Sequence, residues 1–227
     1  MSLRRNLNVV STVAVVLLIS STIAYYLPPS HAESTFIFAD DFNDNYLDSD
    51  KWEKVLWWTG DVSGDVYEQN QRLELYISDG FIDGIIYVGI GSKDKYNLTR
   101  GKISVYLAND QHYEWTALLI SPQKITGGHI PGYPIPELNE FYTIMLRYHH
   151  CYVFKRVSSG DVQTLYMENW LAASNLLQIT VEAGIIKLYE GDTCRYGEDY
   201  QLSSYECYIY IYSFNKGTSF LISPSLD

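Results

Sequence analysis

The chain has 227 residues, with 16 basic against 27 acidic side chains and a formal charge of −11. A surface that acidic repels phosphate backbones and anionic lipid heads, so nucleic acid is excluded as the expected partner. The length suits one domain with a sizeable core, and 21 tyrosines favour strands and amphipathic surfaces without choosing a function.

Residues 1–32 read as a secretion signal. Arg4 and Arg5 form a basic start, Val9 to Leu27 is almost uncharged, and Ser30 and Ala32 supply a small-x-small site for cleavage before Glu33. The alternative is an uncleaved membrane anchor, against which five Ser/Thr residues and the absence of a following basic cluster both argue. Loss of Arg4 and Arg5 leaves 14 basic side chains against 27 acidic ones, a formal −13. The domain is expected over 33–227, secreted or on the cell surface, touching membrane only through the N-terminal segment.

The first stretch of the domain, FADDFNDNYLDSDKW, sets Asp40, Asp41, Asp44, Asp48 and Asp50 around Phe42 and Trp52. Asx turns account for most of these aspartates. Trp57-Trp58 follows, where neighbours on a strand point to opposite faces and one ring is expected to face outward. Leu73, Leu75 and Ile77 alternate, as do Ile103, Val105 and Leu107. Residues 121–140 hold four prolines and three glycines and read as the longest irregular loop. Tyr142 to Lys155 reads as a strand pair or one bent strand, with Ile144 and Leu146 on its apolar face and Arg147 and His149 on the other. Residues 166–174 carry the only hint of helix. Leu176 to Glu182 turns through Ala183-Gly184 into Ile185 to Tyr189, which turns again at 190–192, and Cys207 to Tyr212 alternates strictly. Period two with regular turn signals predicts two packed antiparallel sheets.

Three cysteines cannot all pair. Cys194 with Cys207 is the expected disulfide, worth roughly 3 kcal/mol, with Cys151–Cys207 or three free thiols as alternatives. Asn97-Leu98-Thr99 is a glycosylation sequon. No zinc spacing, serine elbow, phosphate loop or metalloprotease motif is present.

The opening Phe38-Ala-Asp-Asp-Phe42 with Leu47 to Trp52 resembles the first strand of the concanavalin A-like lectin/glucanase superfamily, which includes laminarinase-type glucanases and laminin G-like modules. Glu68 to Leu75, Gly91 to Ile103 and Ile186 to Gly191 resemble later segments in the same order. The resemblance implies an all-β jelly-roll sandwich of two antiparallel sheets. It also implies structural calcium near the first and last strands, for which Asp41 and Asp227 are the candidate ligands. Glucanases of the superfamily carry a Glu-x-Asp-x-x-Glu strand, whose alternation holds two carboxyls about 5 to 5.5 Å apart. This chain lacks it, and Glu137 and Glu140 do not replace it.

A non-catalytic, lectin-like module that binds polysaccharide or glycan is therefore expected. Trp57 and Trp58 are the leading platforms, with Trp115, Arg147 and His149 behind them and Gln178, Thr180 and Glu182 as polar neighbours of the last two. The alternatives are a self-assembling structural protein that contacts other envelope proteins and a diverged glycoside hydrolase. An open concave sheet lined with aromatics favours the lectin; one filled by residues 121–140 sinks the idea of a lectin that binds in that cleft.

Overall fold

The computed structural model describes Asp40, Phe42 and residues 44–60, 63–70, 72–77, 84–108, 115–128, 133–147, 150–169 and 174–216. These form fourteen strands and no helix: β1 (Trp52–Gly60), β2 (Gly64–Gln69), β3 (Arg72–Ile77), β4 (Gly84–Ser92), β5 (Tyr96–Asn97), β6 (Lys102–Ala108), β7 (Trp115–Ser121), β8 (Phe141–Arg147), β9 (His150–Arg156), β10 (Gln163–Asn169), β11 (Ser174–Glu182), β12 (Ile185–Glu190), β13 (Thr193–Asp199) and β14 (Glu206–Lys216). The large sheet runs β1-β4-β14-β7-β8-β9-β10 with β5 on β14, the small sheet runs β13-β12-β11-β6, and β2-β3 is a separate hairpin. Every pairing is antiparallel.

The hint of helix at 166–174 is overturned. Tyr166 to Asn169 ends β10 and Ser174 opens β11, because β10 finds a partner in β9 across a bulge between Thr164 and Tyr166. Tertiary pairing here overrides a weak local preference. The segment from Tyr142 to Lys155 is a strand pair, β8 and β9, in which Arg147 stands opposite His150.

Alternation decides the layers. Ile144 and Leu146 of β8 and Cys151 and Val153 of β9 are buried on the inner face of the large sheet, and Leu177, Ile179, Val181, Ile186 and Leu188 are buried on the small one. Tyr142 and Lys155, on that inner face, bond Glu198 of β13 across the sandwich. The small sheet turns at Ala183 (φ 52°) and Gly184 (φ 79°), a two-residue connection of the primed type that matches strand twist.

Glycine shapes the other face of the large sheet. A Cβ on Gly89 would stand 2.4 Å from the Ile211 carbonyl oxygen, and one on Gly91 would stand 2.5 Å from the Tyr210 ring. Bare backbone at these two positions lets the tyrosines of β14 lie over β4.

Candidate functional site

The outer face of the large sheet is the one turned away from the small sheet. Its central strands present Tyr87, Gly89 and Gly91 of β4, Tyr210, Tyr212 and Phe214 of β14, Trp115, Ala117 and Leu119 of β7, and Phe141, Thr143 and Met145 of β8. The segment between β7 and β8 lies across them, burying Ile135 and Leu138 among the aromatic rings. Tyr87 Oη donates to the Ile135 carbonyl at 2.7 Å and Tyr212 Oη to that of Pro134 at 3.1 Å. Tyr210 Oη donates to the Gln123 carbonyl at 3.2 Å and accepts from the Ile125 amide at 2.9 Å. Burial pushes all three phenols far above their usual range. The space left beneath the segment, bounded by Trp57, Tyr87, Gly127 and Tyr210 among others, is about 10 Å³, enough for roughly one water.

The loop therefore fills the concave face, and the expected aromatic groove is corrected: the aromatics are there, but the protein's own backbone occupies them. None of the central positions named above is a carboxylate. Glu53 on β1 pairs with Lys124 at 2.9 Å, Glu140 accepts the Ser203 amide at 2.8 Å, and Glu137 is exposed on the loop.

Trp57 and Trp58 point to opposite faces of β1. Trp57 is half-buried under the loop, 5.7 Å from the Tyr87 ring, while Trp58 is 40% exposed beside Leu56. Trp115 is buried, 4.6 Å from the Tyr152 ring with the Arg147 guanidinium 5.0 Å above it, so this pair stabilises the end of the sheet and offers no open platform. His149 lies outside the described residues. The polar surface expected from Arg147 with Gln178, Thr180 and Glu182 does not form, because β8 is in the large sheet and β11 in the small one, and Gln178 is buried.

A second aromatic surface escaped the sequence reading. On the β2-β3 hairpin, Val66 and Glu68 turn inward while Asp65, Tyr67 and Gln69 turn outward with Arg72, Glu74 and Tyr76 of β3. Tyr67 and Tyr76 are 44% and 53% exposed on diagonal positions of the ladder. Lys54 joins this face to β1: its ammonium meets Asp65 Oδ1 at 2.6 Å and sits 5.4 Å above the Tyr67 ring. Lys54, Leu56 and Trp58 share one face of β1. The alternation Asp65-x-Tyr67-x-Gln69 was legible, but nothing in it distinguishes an aromatic platform from an ordinary exposed face.

The expected disulfide is also corrected. Cys194 is exposed at the start of β13 in the small sheet, whereas Cys207 is buried on β14 in the large sheet with its sulfur 3.3 Å from Tyr200 Oη; none of the three cysteines is in a disulfide. Asn97 is exposed on β5 and donates to Glu206 Oε1 at 2.6 Å. Asp41 and Asp227, the calcium candidates, lie outside the described residues, as does the segment 1–32. In the acidic opening stretch Asp44 and Asp48 accept from the amides of Tyr46 and Asp50, forming Asx turns, and Asp40 accepts the indole N–H of Trp52 at 2.9 Å.

The same architecture recurs in solved structures. LamA of Zobellia galactanivorans, carrying a substitution and bound to laminaritriose and laminaritetraose, superposes with a TM-score of 0.52 at 14% identity over 84% of this chain and 92% of that one. The catalytic domain of an endo-1,3-β-glucanase (laminarinase) from Thermotoga petrophila gives 0.54 at 10% identity over 81% and 87%. The Bacillus licheniformis β-glucanase gives 0.50 at 13% over 80% and 86%. The fold is that of the laminarinase-type jelly roll. No protein-family model and no curated protein matches the sequence. At these identities the likeness establishes the jelly roll and not its activity. Within the jelly roll, this chain covers the central strands of the cleft face with its own β7–β8 segment.

Proposed function

We propose that the protein is a non-catalytic, secreted or cell-surface binding module that holds a glycan chain on the exposed aromatic surface made by Trp58 of β1 with Tyr67 and Tyr76 of the β2-β3 hairpin, and not on the loop-covered outer face of the large sheet. The observation that carries this reading is the contrast between the two aromatic surfaces. The rings of the cleft are buried with their hydroxyls bonded to loop carbonyls, while Trp58, Tyr67 and Tyr76 stand in solvent. Aromatic rings suit the apolar face of a pyranose, and Asp65, Gln69, Arg72 and Glu74 supply the donors and acceptors that sugar hydroxyls need. The glycan-bound LamA supports the ligand class by analogy of fold. Buried, carboxylate-free central strands support the non-catalytic part of the reading.

The test is a glycan array followed by titration of the best ligand. Saturable binding that falls at least tenfold in Tyr67→Ala and Tyr76→Ala, and is unchanged in Tyr106→Ala, is the expected result. Binding unaffected by those two substitutions, or none to any glycan, overturns it, and hydrolysis of a β-glucan by the purified protein overturns the non-catalytic part.

A second reading, a structural protein of the envelope, is favoured by one observation: among the described residues β1 is an edge strand, and it carries exposed Leu56 and Trp58. Concentration-dependent assembly without glycan binding selects it.

A further inference from the structure

At one end of the sandwich three side chains form a closed triangle. Lys155 of β9 reaches across from the large sheet, and its Nζ lies 2.8 and 2.6 Å from the two carboxylate oxygens of Glu198 on β13. The same Nζ is 3.3 Å from Oε1 of Gln201, just beyond β13, and Gln201 Nε2 is 3.2 Å from Glu198 Oε2. Lys155 is buried. An ion pair alone needs the lysine and the glutamate; here a carboxamide completes the figure, and one carboxylate touches both the amine and the amide nitrogen.

We propose that Lys155 and Gln201 become joined by an intramolecular amide bond, with Glu198 as the proton carrier. Glu198 takes a proton from the Lys155 ammonium, and the freed Nζ attacks Cδ of Gln201. The Nζ–Cδ bond forms and the Cδ–Nε2 bond breaks. Two of the three Nζ protons pass through Glu198 to Nε2, which departs as ammonium, and the carboxylate is restored. No oxidant, metal or further reactant is required.

The surroundings suit each step. Tyr142 Oη donates to Glu198 Oε1 at 2.5 Å and Tyr196 Oη to Oε2 at 2.7 Å, fixing the carboxylate between its two partners. Burial by itself would raise the Glu198 carboxyl; the hydrogen bonds from Lys155, Tyr142 and Tyr196 outweigh it and hold the group below the usual range, so it stands ionised between the amine and the amide. The product ties the large sheet to the small one in a chain none of whose three cysteines is in a disulfide. The bond would supply the cross-sheet staple that a disulfide supplies elsewhere.

Mass spectrometry of the purified, folded protein decides it. The expected result is a mass lower than the sequence value by one ammonia, with Lys155 and Gln201 recovered in one branched peptide. Lys155→Arg, which keeps a cation beside Glu198, and Glu198→Gln should each return the full sequence mass, and the arginine variant should remain folded by circular dichroism. A parent protein at sequence mass, with Lys155 and Gln201 in separate unmodified peptides, overturns the proposal, as does an ammonia loss mapped to any other residue.

Discussion

Tyr87 on β4 donates its hydroxyl to the carbonyl oxygen of Ile135, 48 residues away on the β7–β8 segment, at 2.7 Å, and both residues are buried. Removing the donor strands a buried carbonyl, which costs about 1 to 3 kcal/mol. Tyr87→Phe should therefore lower Tm by several degrees in thermal denaturation. It should also make residues 122–140 cleave faster in limited proteolysis, since the same bond fastens the segment to the sheet.

The two neighbouring tryptophans should separate cleanly. Trp57 fills space between Tyr87 and Gly127, so Trp57→Ala should cost about 2 kcal/mol in denaturant unfolding, below the figure for a fully buried ring. Trp58 stands in solvent, so Trp58→Ala should stay within about 0.5 kcal/mol of the parent and weaken glycan binding instead.

Glu68 supplies a pH test. Its carboxyl is buried with Oε2 lacking a hydrogen-bond partner, and burial first, then the neighbouring Asp44 carboxyl, raises its pKa above the ordinary 4.5. The folded protein thus holds this proton more tightly than the unfolded chain does. Its stabilising contribution is complete below pH 4.5 and is lost as pH rises through the raised folded value. Glu68→Gln should match the parent in stability below that window and exceed it at neutral pH, as measured by urea midpoints across pH 4 to 8.

Ala183 holds φ 52°, a left-handed conformation that disfavours a side chain bearing only a Cβ. Ala183→Asn, with Gly184 next to it, restores the preferred pair for this turn and should add about 0.5 to 1 kcal/mol of stability in thermal unfolding.

Three thiols should titrate, none of them held in a disulfide. Cys194 should react with a thiol reagent in the native protein, while Cys151 and Cys207 should need denaturant, since both are buried and burial pushes the Cys207 thiol up to about 11. Reductant should leave Tm unchanged.

Alternation along the chain was enough to foresee two packed antiparallel sheets, because a strand buried on one face must repeat apolar residues with period two whatever it packs against. The Ala183-Gly184 turn, the Asx turns of Asp44 and Asp48 and the opposed faces of Trp57 and Trp58 were legible for the same reason: each depends on a few adjacent residues. The fate of Trp115, the separation of Cys194 from Cys207 and the sealing of the cleft depend on which strands become neighbours. A period-two pattern does not carry that information, since an aromatic facing outward reads alike whether water, a sugar or the protein's own loop covers it. Tyr87, Tyr210 and Tyr212 carry no sign in one dimension of what covers them. Only the return of Gln123, Pro134 and Ile135 over the sheet decides that their hydroxyls are already bonded.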